Sequence, residues 1–217
     1  MPNLPISQLQ QATSLEGTEL FAVVQGGVTK YTTLQAINTS TTVNYGLFNQ
    51  TGSSVPVEGS AVSTATSGSL LDGGFGTLTV PANGFSVGDG FQAILTGLIE
   101  ITNGHELEIQ VKTGDVVLAD TGIITMAGAE DKNWRLNIDF SVNAVGTAGT
   151  AAIATAGLFT YRKDASSDVQ GEIFSFTNNT TFDTTVDNTL SIIAILGSAC
   201  GTNEYIYSEY FTLRKTF

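Results

Sequence analysis

The sequence predicts an all-β protein: an antiparallel jelly-roll sandwich of eight or nine strands, preceded by a small N-terminal β-hairpin. Three observations carry that expectation. The 217-residue chain holds 31 threonines and 24 glycines but only 4 prolines, so β-branched residues for pleated strands and small residues for turns dominate it. Long stretches alternate apolar and polar with a period of two. Between them stand Gly-, Asn- and Asp-rich turn texts at short intervals, the spacing of a sandwich.

The chain divides into three parts. Residues 1–40 contain "FAVVQ", Gly26-Gly27 and "VTKYTTL", two β-prone runs joined by residues that tolerate the positive φ of a tight hairpin turn. A lone hairpin is marginally stable in water, so Phe21, Val23, Val24, Val28 and Tyr31 are expected to dock on a host surface. Residues 41–68 turn small and polar, with apolar anchors at Tyr45, Leu47 and Phe48, and read as a linker and an edge strand.

Residues 69–217 form the expected head. "WRLNIDFSV" sets Trp134, Leu136, Ile138, Phe140 and Val142 on one face, with Arg135, Asn137, Asp139 and Ser141 on the other; "LEIQVK" alternates in the same way from Leu107. That pattern belongs to an antiparallel strand with one wet face. "FQAILTGLIEI" and "TLSIIAIL" are apolar on both faces, which calls for a second covering surface, such as another subunit. Phe91, Ile94, Leu95 and Leu98 with Ile193 and Ile195 are therefore expected to serve core and subunit interface. The final strand runs to Phe217 without a polar tail, so the C-terminus is expected within a sheet.

Charge narrows the partners. A net charge of −12 repels the phosphates of nucleic acid and the headgroups of anionic membranes. Charged residues are only 13%, about half the ~25% usual in soluble chains, which lowers the desolvation cost of subunit contacts. Cys200 stands alone, excluding an intrachain disulfide and pointing to a reducing compartment of synthesis. No basic segment leads into an apolar run near Met1, so no signal peptide and no membrane span is expected.

Two stretches resemble modules of virion proteins. "ISQLQQATSLEGTELFAVVQGGVTKYTTLQAI" resembles a segment that precedes phage fibre and structural proteins. "LTVPANGFSVGDGFQAILTGLIE", "LEIQVKTGDVVLADTG", "TTFDTTVDNTLSI" and "IYSEYFTLRK" resemble the jelly-roll domain of phage and large-virus fibre, spike or capsid-surface proteins. The resemblance implies a homotrimer made in the host cytoplasm and placed on the virion surface, with other capsid or tail proteins as partners. It carries no catalytic motif, cofactor or metal.

The residues themselves offer little catalysis. His105 lies in the turn text "NGHELE" and Cys200 in "GSACGTN"; no oxyanion-hole text surrounds the thiol, so a Cys–His dyad ranks far below a turn histidine and a buried small hydrophobe. One Cys and one His fall short of a structural zinc centre. Asp164, Asp168, Asp183, Asp187 and Asn188 offer oxygens for Ca²⁺, but without EF-hand spacing they read as turn formers. Glu106/Glu108 and Glu130/Asp131 read as solvated carboxylates rather than a glycosidase pair.

"NEYIYSEY" is the best binding text, offering Tyr205, Tyr207 and Tyr210 with Asn203 and Glu204. Tyr205 and Tyr207 share a strand face, forming either a platform for host surface glycan or the rim of a subunit interface. The expectation is a non-enzymatic virion surface protein, with glycan recognition as the alternative and polysaccharide hydrolysis behind both.

Overall fold

The structure, a computed structural model, describes residues 20–25, 28–33, 46–51, 56–60, 64–71, 78–164 and 168–216. Every strand pairing in it is antiparallel, and the described residues contain no helix. The chain forms two compact units, residues 1–44 and 45–217.

In the first unit β1 (Leu20–Gln25) pairs with β2 (Val28–Thr33), from Leu20 opposite Thr33 to Gln25 opposite Val28. This is the expected hairpin, and Val28 is 59% exposed. The side chains of Phe21, Val23, Val24 and Tyr31 lie outside the described residues.

The second unit has two sheets over one core. Residues 41–68, read from sequence as linker and edge strand, supply β3 (Gly46–Thr51), β4 (Val57–Glu58) and all but the last residue of β5 (Thr66–Ser69). Then come β6 (Thr79–Val80), β7 (Gly90–Ile101), β8 (Glu106–Thr113), β9 (Val116–Asp120) and β10 (Ile124–Thr125). The longest strands follow: β11 (Ala129–Ala144), β12 (Ala152–Arg162), β13 (Val169–Asn178), β14 (Asn188–Leu196) and β15 (Tyr205–Lys215). The expected strand at 76–80 is reduced to the two residues of β6, and the short β10 is one that alternation did not indicate.

One sheet runs β13-β12-β11-β7-β15-β3, with β4 also on β15; the other runs β10-β8-β14-β5, with β6 on β14 and β9 on β8. The chain crosses between sheets from β7 to β8 and from β14 to β15, while β11, β12 and β13 form a meander within one sheet.

Alternation decides which residues meet between the sheets. Ala93, Leu95, Ile99, Leu136, Ile138 and Phe211 of the first sheet and Leu107, Ile109, Val111, Ile192, Ala194 and Leu196 of the second belong to one buried cluster. Their opposite-parity neighbours face outward. The apolar residues expected to serve core and interface therefore separate. Phe91 and Leu95 enter the core, whereas Ile94, Leu98, Ile193 and Ile195 sit half-buried on the outer faces.

The last strand is held on both sides, by β7 and by β3. Beyond it the Thr216 amide donates to the Gly90 carbonyl at 2.8 Å. Lys215 closes the corner by pairing with the buried Asp89 at 2.6 Å.

Candidate functional site

The candidate site lies on the outer face of the first sheet, and a β-bulge builds it. Along β15, Ile206 and Ser208 point inward, and so do Phe211 and Leu213. Between them the parity changes from even to odd. The register shifts between Ser208, opposite Gly97, and Tyr210, opposite Thr96, leaving Glu209 as the extra residue. Tyr205, Tyr207 and Tyr210 consequently share the outer face, where strict alternation would have turned Tyr210 inward.

The core fixes the bulge. The Trp134 indole Nε1 donates to the carbonyls of Leu98 and Tyr207, both at 3.0 Å. A Cβ on Gly97 would stand 1.9 Å from the Tyr207 carbonyl oxygen, so only glycine lets β15 approach β7 there. The Ser208 hydroxyl donates to the Leu70 carbonyl at 2.5 Å. Trp134 is 2% exposed, so the platform is anchored in the buried core.

On the face itself the Tyr205 and Tyr207 ring centroids are 5.8 Å apart with planes tilted by 33°. Tyr207 lies opposite Leu98 and Tyr205 opposite Glu100. The Tyr205 hydroxyl donates to Asp131, which adopts a left-handed φ of 50° at the second bulge, between Ala129 and Lys132 on β11. Tyr210 is 43% exposed. Asn203, expected beside these rings, is exposed on the turn that enters β15.

The electrostatics are acidic. The hydrogen bond to Asp131, then partial burial and the charges of Asp131 and Glu100, push the Tyr205 phenol well above its ordinary value. Burial, then Glu209 and Asp131, raise that of Tyr207. Burial and the carboxylates of Asp131, Glu130, Glu204 and Asp164 raise the Glu100 carboxyl. At neutral pH the tyrosines are neutral hydroxyl donors on a negative surface. Farther along the face, Gln92 donates to Asp139 at 2.9 Å and Arg135 to Asn137 at 3.0 Å.

Of the residues weighed for catalysis, Asp131 lies at this face as the acceptor of Tyr205, and Glu130 is its neighbour; the others stand elsewhere. Glu106 is exposed, and Glu108 accepts a hydrogen bond from Gln110 at 2.7 Å. Asp183 accepts the Thr185 amide and hydroxyl at 2.7 and 2.6 Å and acts as a turn former, whereas Asp187 accepts the Ala82 amide at 2.8 Å and ties two distant loops together.

His105 and Cys200 do meet, in company that sequence reasoning missed. Nδ1 of His105 lies 2.9 and 3.0 Å from the two carboxylate oxygens of Glu204. Those oxygens also accept the Thr102 amide at 2.6 Å and the Gly201 amide at 2.7 Å. Burial alone would raise the Glu204 pKa, but these backbone donors and His105 outweigh it and hold the carboxyl below its ordinary value. Glu204 thus ties the β7–β8 turn to the β14–β15 turn. Cys200 is 1% exposed, and burial pushes its thiol pKa up, opposite to what a nucleophile requires.

At the other end of β8 and β14, an apolar cavity of about 60 Å³ lies among Phe85, Phe91, Phe140, Phe182 and Leu190. It is far smaller than the ~300 Å³ at which ligand pockets begin.

No protein family and no curated protein sequence matches the chain. Among solved structures, the chain is similar to the CBM2 module of the evolved Dit of Lactobacillus casei BL23 phage J-1, at 11% identity and a TM-score of 0.26, over 75% of this chain and 76% of that one. So loose a likeness leaves the functional reading to the chain's own residues.

Proposed function

We propose that the protein is a non-enzymatic attachment protein of a virion, and that its sandwich recognises host surface carbohydrate through Tyr205, Tyr207 and Tyr210. One observation carries the binding role: a bulge held by Trp134 brings three tyrosines onto one outer face, with two rings 5.8 Å apart. Aromatic faces stack on the C–H faces of sugar rings, while phenolic hydroxyls and the carboxylates beside them hydrogen-bond sugar hydroxyls. The virion setting rests on the resemblance of the N-terminal and strand texts to phage and large-virus surface proteins. Crossings between sheets from β7 to β8 and β14 to β15 are of the kind a jelly roll uses, with the β11–β13 meander as an elaboration.

In this reading the hairpin of residues 20–33 anchors the head to capsid or tail proteins, and heads associate as a homotrimer. The edge strand β13 supports association, because its Val169, Ile173 and Phe176 are 62%, 79% and 51% exposed. Light scattering that returns the 22.7 kDa monomer mass at micromolar concentration would remove the trimer from the proposal.

A glycan array with the full chain tests the central claim. Binding to a defined set of glycans, lost in both Tyr207→Ala and Tyr210→Ala variants of unchanged fold, is the expected result. Binding that survives both substitutions refutes the platform. Release of reducing ends from a bound polysaccharide would refute the non-enzymatic assignment.

A further inference from the structure

We propose that His105, Cys200 and Glu204 form a binding site for a borderline-soft divalent transition-metal ion of the zinc class. The imidazole Nδ1, the thiol sulfur and a Glu204 carboxylate oxygen all lie within 4.8 Å of one another. With metal bonds of about 2.0–2.1 Å to nitrogen and oxygen and ~2.3 Å to sulfur, tetrahedral ligands stand roughly 3.3–3.6 Å apart. The separations in the cluster bracket that spacing, from 2.9 Å between Nδ1 and the nearer Glu204 oxygen up to at most 4.8 Å.

A plain loop clamp explains only part of this cluster. His105 and Glu204 alone stitch the two turns together. The clamp has no use for a thiol, yet Cys200 supplies the third corner of the triangle from the same turn as Glu204. The sulfur donates weakly to the Glu106 carbonyl at 3.7 Å and lies beside the Gly197 backbone, contacts weaker than a metal–thiolate bond. One Cys and one His fell short of a structural zinc centre in the sequence; the buried carboxylate completes a three-ligand set. Such sets keep a fourth position for water or another ligand, and here His105, with 26% of its side chain exposed, forms the open wall.

The Glu204 carboxylate is already oriented for this task. Its two oxygens take the backbone amides of Thr102 and Gly201, which fix the group as outer-shell hydrogen bonds fix metal ligands. The His105 Nδ1 stands almost evenly between these oxygens, at 2.9 and 3.0 Å, and an ion bound to it meets the same carboxylate electron pairs. Binding releases the thiol proton to solvent and moves the imidazole proton from Nδ1 to Nε2. The site is independent of the tyrosine face, so it stands or falls apart from the carbohydrate reading.

Titration of the freshly reduced full chain with Co²⁺ tests the proposal. One equivalent should produce thiolate-to-cobalt charge-transfer absorption that Zn²⁺ then displaces. With free metal ~100-fold above its dissociation constant, Tm should rise by several degrees. Cys200→Ser should abolish the charge-transfer band while the metal-free fold persists. His105→Gln, which can still donate to Glu204, should weaken binding by more than the ~10–100-fold that loss of an outer-shell partner produces. Absence of the band at stoichiometric Co²⁺ overturns the proposal. So does a metal-induced rise in Tm that survives unchanged in both variants, because it would place the ion elsewhere.

Discussion

The indole of Trp134 donates to the carbonyl of Tyr207 at 3.0 Å, so the centre of the core and the exposed aromatic face are one hydrogen bond apart. Trp134→Phe retains most of the buried ring but leaves the Leu98 and Tyr207 carbonyls without their donor. A buried acceptor stripped of its partner costs about 1–3 kcal/mol. Tm should fall by about 2–4 °C for each kcal/mol in a chain this long, and glycan binding should weaken in parallel. Thermal unfolding and binding measured on the same variant check the coupling; full stability with normal binding would contradict it.

Gly97→Ala attacks the same joint from β7. The new methyl would meet the Tyr207 carbonyl at 1.9 Å, forcing β15 away or the bulge out. Overpacking of this kind costs roughly 1–3 kcal/mol. Urea unfolding should show a lower midpoint with an unchanged slope.

Alkaline titration reads the platform's electrostatics. The fold raises the pKa values of Tyr161, Tyr205 and Tyr207, which means that it favours the protonated phenols. The stabilisation is complete below the unfolded value of ~10 and fades as pH rises through the folded values. These three should ionise above the ordinary tyrosine range in tyrosinate absorbance. Asp131→Asn should bring Tyr205 back toward the ordinary range, since asparagine tolerates the left-handed backbone at that position.

Asn178 joins the two sheets where β13 ends. It is 3% exposed; its amide donates to the Val117 carbonyl and the Thr181 hydroxyl, both at 2.8 Å, and its carbonyl accepts the amides of Thr180, Thr181 and Phe182. Asn178→Ala leaves those groups without partners and should cost about 2–4 kcal/mol. A loss below ~0.5 kcal/mol in chemical denaturation, the scale of an ordinary surface change, would show that this network is dispensable.

Removal of residues 1–37 separates anchoring from folding. Residues 45–217 cluster as a unit of their own, so the truncated chain should stay soluble and retain glycan binding while failing to join particles. Incorporation of the truncated chain into virions would refute the anchoring role.

The strands were the most legible part of the sequence, because period-two alternation is a direct record of which side chains meet the core. Trp134 to Val142 reads off without error, and so do Leu107, Ile109 and Val111. The short strands β3, β4 and β5 were harder to read: their texts are polar and small, and pairing with β15 and β14 places them. Tyr205 and Tyr207 were visible as a pair. Tyr210 stood in the same text, but its place on their face was not legible, although the change from buried Ile206 to buried Phe211 and Leu213 contains the signal, an odd step in an even pattern. Glu204 read as part of the tyrosine text rather than as a buried partner of His105, because that partner comes from a turn 99 residues away in the chain, and no local pattern marks a carboxylate aimed inward.

The bulge at Glu209 also bears on how this strand tolerates changes of length. β15 is flanked on both sides, and an added residue in such a strand would ordinarily invert every side chain beyond it, sending Phe211 and Leu213 into water. Here the surplus is absorbed within one residue, and both segments keep their own phase. Deleting Glu209 would restore strict alternation with Tyr205, Tyr207 and Tyr210 still facing outward and Phe211 still buried. The strand therefore behaves as two frames joined at a splice, and a length change at that splice can alter the spacing of the rings without reversing the faces of the sheet.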